Sequence, residues 1–119
     1  MAPGPNVDEI WPPPTVVPRP DVIVSSSCFE HAGAFWELFR RLVDALDIGG
    51  LLWIDAPSAG PVHWGRDSWR FLEDAWAVLA EWDGRVELLE SYCGAGAAAH
   101  GCCASETWAD SVGVYRRRV

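Results

Sequence analysis

Lysine is absent from this 119-residue sequence, and its nine basic residues are all arginines. Against 17 acidic residues they leave a formal net charge of -8. This balance disfavours binding to phosphate backbones and to anionic membrane surfaces. The basic cluster Arg116 to Arg118 has no interleaved aromatic residues that could stack on bases, so we expect no nucleic-acid partner.

Long hydrophobic runs are also missing. No segment approaches about 18 uninterrupted apolar residues, and the first residues show no basic stretch followed by an apolar one. We therefore expect a cytoplasmic protein with no membrane partner. Disulfides rarely persist in that compartment, so the cysteines are expected to be reduced thiols. They are Cys28, Cys93, Cys102 and Cys103.

Proline is concentrated at the start of the chain. Residues 1–20 hold seven of the nine prolines, which remove backbone donors and exclude a helix or a central strand there. We predict an extended arm or linker over 1–20 and one folded domain over 21–119. Half of all residues are hydrophobic, which is enough for a single core.

Apolar spacing predicts the first half of that domain. A short apolar run ends in "SSS", and a stretch follows in which apolar residues recur every three or four positions, as in an amphipathic helix. "IGG" ends the helix and "LLWID" begins a second buried strand. A strand, a helix and a strand within this length form a βαβ unit with parallel strands.

The second half continues the alternation. A helix is predicted from about Glu73 to Glu81, and "GRVELLESY" and "SVGVYRR" are predicted strands. The fold class is therefore α/β. The apolar face of the second helix is predicted to comprise Leu72, Ala75, Trp76, Leu79 and Trp82.

In open parallel sheets, ligands bind beyond the carboxyl ends of the strands. Two polar segments follow the first two strands: "SSSCFEH", which ends at His31, and "DAPSAGPVHWGRDSWRF", which begins at Asp55. Both are therefore candidate site segments.

In their order along the chain, "VIVSSSCFEH", "IGGLLWIDAPSAGPVH" and "RDSWRF" resemble the second half of class I S-adenosylmethionine-dependent methyltransferases of the broad type-11 kind. The resemblance covers about residues 21–92 and, more weakly, the final strand. It implies a partial Rossmann-like sheet, mostly parallel with an antiparallel last strand. Such a family begins with a strand, a glycine-rich turn and a ribose-binding acidic residue, and none of these precedes residue 21.

The resemblance also implies roles for individual residues. Cofactor-binding residues would be Ser26, Ser27, Cys28 and Glu30. Substrate-binding residues would be Ser58, Trp64, Trp69 and Arg70. Methyl transfer needs a base only when the acceptor must lose a proton, and the candidate bases are His31 and His63.

Structural interpretations compete with each of these roles. The serines are typical of strand ends, where they cap exposed N–H groups. Either histidine could be an ordinary hydrogen-bonded side chain. Arg70 could pair with Asp67 or Asp74 instead of a substrate. Trp69, Trp76 and Trp82 are spaced as core residues of a helix face.

A metal site is not predicted. Cys93, His100, Cys102 and Cys103 have a spacing that does not match paired zinc ligands. Hydrolase and nucleotide-triphosphatase motifs are absent as well.

The sequence and the family resemblance lead to two alternative predictions of function. The first is an S-adenosylmethionine-dependent methyltransferase-like protein acting on a small molecule, impaired or inactive as an isolated chain. The second is a non-catalytic remnant or association module, folded by self-pairing or with a partner chain. The strand over 21–26 is apolar enough for burial on both faces, and no strand in the sequence is assigned to its far edge, which favours a homodimer or a partner there.

Overall fold

The computed structural model describes residues 18–63, 65–94 and 106–119. Strands and helices alternate as predicted, with a short 3-10 helix after the first strand. The elements are β1 (Val22–Ser26), the 3-10 helix (Phe29–His31), α1 (Phe35–Ala45), β2 (Leu51–Ala56), α2 (Ala75–Asp83), β3 (Val86–Cys93) and β4 (Ser111–Arg117).

The four strands form one sheet in the order β1-β2-β4-β3. β1 and β2 are parallel, and β4 runs antiparallel to both β2 and β3. The predicted fold class is therefore confirmed, including the antiparallel last strand. The proline-rich arm was predicted over 1–20, and of this span only residues 18–20 are described.

Both helices pack on the same face of the sheet. Gly113 and Tyr115 point to that face, since alternate residues of a strand share a side. The Phe39 ring of α1 lies 5.0 Å from the Tyr115 ring, and Trp76 of α2 packs directly over Gly113. Phe39 and Trp76 are both fully buried. The core thus lies in one layer between the helices and the sheet.

The predicted amphipathic α1 is confirmed, and the far end of the chain secures its last turn. The carbonyl groups at the C-terminus of a helix have no partner within the helix. The Arg117 guanidinium donates hydrogen bonds to the carbonyl oxygens of Val43 at 3.0 Å and Leu46 at 2.5 Å. A positive charge at this end of a helix is also favourable for its dipole.

α2 begins two residues later than predicted and ends at Gly84, which has a φ of 75°. Leu72 precedes the helix and is 65% exposed, so its predicted place on the core face is wrong. The same prediction is wrong for Trp82, which is 43% exposed and lies under the Arg40 guanidinium at 4.6 Å. Trp76, Leu79 and Ala75 do face the core.

The opposite face of the sheet is not covered by any helix among the described residues. Val22 and Val24 of β1 are 56% and 65% exposed. The register places Leu51, Trp53 and Val114 beside them on this face, and all three are only half-buried. The prediction that both faces of β1 are buried is therefore not met within the part of the chain that the structure describes. No described helix has the length and hydropathy to cross a bilayer.

The close contact at Gly113 gives the first prediction. A Cβ atom there would lie 2.8–3.0 Å from Trp76 side-chain atoms. We expect Gly113→Val to lower the free energy of unfolding by about 1–3 kcal/mol, because the buried indole cannot shift freely. Arg116→Val adds a valine to an exposed position of the same strand and should change it by less than about 0.5 kcal/mol. Urea unfolding measures both, and equal losses would contradict the prediction.

Candidate functional site

The two polar segments singled out in the sequence meet at the carboxyl ends of β1 and β2. Ser26 pairs with Asp55 in the parallel register, so the carboxyl ends of the two strands lie side by side at one edge of the sheet. The Ser27 N–H donates to Asp55 Oδ1 at 2.9 Å, and the Ser68 N–H donates to the Glu30 carbonyl oxygen at 2.9 Å. Backbone and side-chain bonds therefore hold the 3-10 helix against the loop that follows β2.

Three ionisable side chains converge where these segments touch. Glu30 and His31 come from the 3-10 helix, and His63 comes from the loop after β2. His31 Nε2 lies 3.5 Å from Glu30 Oε1, and the two imidazole rings meet edge to face with centroids 5.0 Å apart. One imidazole nitrogen from each histidine and one carboxylate oxygen of Glu30 lie within 4.8 Å of one another.

Glu30 is the buried member of this cluster. The residue is 1% exposed, and burial raises the pKa of its carboxyl group. Its Oε2 atom has no hydrogen-bond partner among the described residues. His31 and His63 keep 29% and 33% of their side-chain surface exposed, so the cluster opens to solvent on the histidine side.

Asp67 contacts the cluster through His63. Its fully buried carboxylate accepts two hydrogen bonds from Arg70, at 2.6 and 2.8 Å, and one from the His63 N–H at 2.9 Å. The His63 Nδ1 atom lies 2.6 Å from Asp67 Oδ2, although not aligned as a hydrogen bond. The hydrogen bonds from Arg70 hold the pKa of the Asp67 carboxyl well below its ordinary value.

Trp108 completes the wall of the site and was not predicted from the sequence. Its ring lies 4.8 Å from the His63 ring, and the Arg70 guanidinium lies 5.8 Å above it. A Cβ atom at Gly60 would overlap the indole at 2.3 Å, so only glycine fits there. The sequence signal was weak: one tryptophan after a long run of small residues, some 45 positions after His63.

The residues predicted to bind the cofactor divide into two groups. Ser26, Ser27 and Cys28 are exposed where β1 ends. Ser27 has a φ of 50°, a conformation rare for residues other than glycine. Cys28 is exposed overall, but partial desolvation of its thiol, and secondarily the nearby Glu30 carboxylate, raises the pKa of that thiol. Glu30 is instead buried and belongs to the histidine cluster.

The residues predicted to bind substrate make internal contacts. Ser58 Oγ donates to the Ala109 carbonyl oxygen at 2.5 Å, and Trp69 Nε1 donates to the Ala32 carbonyl oxygen at 2.7 Å. Arg70 pairs with Asp67, which is the structural alternative that the sequence left open. Trp64, the remaining member, lies outside the described residues.

Of the four cysteine and histidine residues whose spacing does not match paired zinc ligands, the structure describes only Cys93. Its Sγ lies 3.2 Å from Ser58 Oγ. His100, Cys102 and Cys103 lie outside the described residues.

The fold of the described residues is similar to part of two solved structures. They are the [4+2]-cyclase SpnF, at a TM-score of 0.59 and 11% identity, and the N-methyltransferase NodS from Bradyrhizobium japonicum WM9, at 0.51 and 18%. In both cases the match covers 83% of this chain and 51% of the other. The chain therefore spans about half the length of the structures it matches.

No protein-family model and no curated protein sequence matches the chain. At these identities the likeness shows the fold alone. The two neighbours are described as a cyclase and an N-methyltransferase, so this fold does not determine one reaction.

The buried carboxylate of Asp67 gives the second prediction. We expect Asp67→Asn to lower stability at about pH 6, because Arg70 and the His63 N–H lose their charged acceptor. A carboxyl with a lowered folded-state pKa stabilises the fold above its unfolded-state value, 3.8, and this advantage declines as the pH falls towards the folded-state value. The difference between wild type and Asp67→Asn should therefore shrink by about pH 2.

Urea unfolding at the two pH values measures this difference. Glu73→Gln removes an exposed carboxylate from the end of the same loop and serves as the matched control. Its effect should be small at both values. An Asp67→Asn effect that is the same at both would show that the charge of Asp67 does not contribute.

Proposed function

We propose that this chain is an S-adenosylmethionine-dependent methyltransferase-like protein that acts on a small molecule. One observation carries the proposal: exposed hydroxyl groups at the end of β1 are followed by a 3-10 helix whose Glu30 and His31 meet His63 from the loop after the neighbouring parallel strand β2. Ligands of open α/β sheets bind at this edge. The methyltransferase-like fold supports the same assignment.

The described residues fit one side of a cofactor site. Ser26 and Ser27 are exposed, and the Ser27 backbone is fixed in an unusual conformation by its bond to Asp55. Together with Cys28 they offer short polar groups that a ligand can approach closely. The bound cofactor would supply an activated methyl group on a sulfonium.

The histidine cluster is suited to the acceptor side. Methyl transfer is an in-line displacement, so alignment of the acceptor contributes most of the rate. His31 and His63 are partly exposed and can take a proton from an acceptor hydroxyl or amine. Trp108 forms an aromatic wall beside them. The chain spans about half of its structural neighbours, so we expect the isolated chain to be impaired or inactive in methyl transfer.

Calorimetric titration tests the proposal with S-adenosylmethionine and its demethylated product, S-adenosylhomocysteine. We expect saturable binding near one ligand per chain, weakened severalfold or more by Ser26→Ala, because that hydroxyl lies in the exposed group. Ser91→Ala alters a serine on β3 and should leave the affinity unchanged. Absence of binding at millimolar ligand by a chain shown to be folded by circular dichroism would overturn the proposal.

A second function, association through the sheet, is favoured by a separate observation. Among the described residues the outer edge of β1 has no strand partner, and the uncovered face beside it is apolar. Exposed edges and apolar faces of this kind are sites of pairing with another chain. The occupant we propose is a second copy of this chain, joined along β1.

Sedimentation equilibrium tests this association. We expect a dimer that Val24→Lys weakens at least tenfold, because a charge on an edge strand opposes pairing. Val78→Lys changes a valine of similar exposure, 60% against 65%, on α2 instead. A monomer at high concentration, or a dimer weakened by Val78→Lys alone, would exclude the β1 interface.

A further inference from the structure

We propose that Glu30, His31 and His63 bind one divalent transition-metal ion of the zinc class. Two imidazole nitrogens and one carboxylate oxygen are a recurring ligand set for such ions in proteins. The ligands come from two segments that the structure holds together. The inference concerns metal binding itself and does not depend on the proposed methyltransferase function.

The spacing of the donors suits a single ion. The three donor atoms lie within 4.8 Å of one another. The 3.5 Å between His31 Nε2 and Glu30 Oε1 is close to the roughly 3.4 Å edge of a tetrahedron with metal–ligand bonds of about 2.1 Å. Small side-chain rotations of the partly exposed histidines can close the remaining distance.

The buried carboxylate points to a missing partner. Glu30 is 1% exposed, and its Oε2 atom accepts no hydrogen bond from any described residue. Buried carboxylate oxygens in folded proteins are normally paired with a donor, a cation or a metal. The other oxygen, Oε1, faces His31 Nε2, so an ion held between the carboxylate and the two imidazoles would give this buried group the positive partner that it lacks.

The histidines are also oriented as metal ligands usually are. A metal-binding histidine commonly directs its second ring nitrogen at a carbonyl or carboxylate oxygen, which fixes the ring. His31 Nδ1 contacts the Arg66 carbonyl oxygen. His63 Nδ1 lies 2.6 Å from Asp67 Oδ2, and a rotation of the imidazole would align the two atoms as a hydrogen bond. Both Nε2 atoms are then the natural ligand positions, and Asp67 becomes a positioning residue.

The ligand set selects the ion and leaves room for a further ligand. Two imidazoles favour Zn²⁺, Co²⁺ or Fe²⁺ over Mg²⁺ and Ca²⁺, which prefer oxygen ligands. The solvent-exposed side of the histidines leaves at least one coordination position open. Three protein ligands with an open position are typical of catalytic zinc sites. The open position would take a water molecule or a hydroxyl group of a small molecule. The ion would lower the pKa of that bound water or hydroxyl group.

Metal binding and base catalysis exclude one another at these residues. A histidine that gives its Nε2 lone pair to a metal cannot accept a proton there. With a metal bound, deprotonation of an acceptor would therefore depend on the ion and not on His31 or His63. Metal titrations in the absence of S-adenosylmethionine separate this inference from the proposed cofactor binding.

The test is a calorimetric titration of the full chain with Zn²⁺, with Mg²⁺ as a second probe. We expect one Zn²⁺ per chain and no saturable Mg²⁺ binding. Glu30→Gln, His31→Gln and His63→Gln should each weaken Zn²⁺ binding at least tenfold, and Asp67→Asn by about 10- to 100-fold. His100→Gln alters the third histidine of the sequence and should have no effect.

Cobalt separates this site from the cysteines. Co²⁺ bound by nitrogen and oxygen ligands gives visible absorption without the thiolate charge-transfer band of cysteine sites. Zn²⁺ should also raise the unfolding temperature of the wild-type chain but not that of a folded Glu30→Gln variant. Absence of Zn²⁺ binding, a thiolate band, or unchanged affinity in all three ligand variants would overturn the inference.

Discussion

The loop between β2 and α2 depends on the buried carboxylate of Asp67. One side chain accepts a bidentate pair from Arg70 and the backbone N–H of His63, which closes the loop on itself. The neighbouring Ser68 N–H then bonds to the 3-10 helix at Glu30. Charge-assisted bonds of this kind are short and directional. The relative positions of Glu30, His31 and His63 therefore depend on Asp67, which is not itself a member of the cluster.

Local signals in the sequence were sufficient for the elements and for the edge of the sheet at which the two polar segments meet. Apolar spacing of three and four residues predicted α1, and short apolar stretches bounded by turn residues predicted the four strands. Because ligands of parallel sheets bind beyond the carboxyl ends of the strands, the segments that contain His31 and His63 were both expected at that edge of the sheet. The Arg70–Asp67 pair was foreseeable because residues so close in sequence meet in any compact loop.

Features that depend on contacts between residues distant in sequence could not be predicted from local patterns. The position of β4 between β2 and β3 depends on pairing across more than 50 residues, and no local pattern encodes it. Trp108 reaches His63 only because β4 takes that position. The exposure of Trp82 was missed because an aromatic residue at helical spacing suits a core position and an arginine-covered surface position equally well.

The strand order has a consequence for synthesis of the protein. β4 is the last of the four strands to leave the ribosome, yet it separates β2 from β3 in the sheet. While residues 111–117 are still in the exit tunnel, β3 lacks the one described strand that it pairs with, and the final turn of α1 lacks the guanidinium of Arg117. The apolar residues of β3 therefore stay exposed until β4 has emerged from the tunnel, and in that interval the nascent chain is open to the aggregation that chaperones prevent.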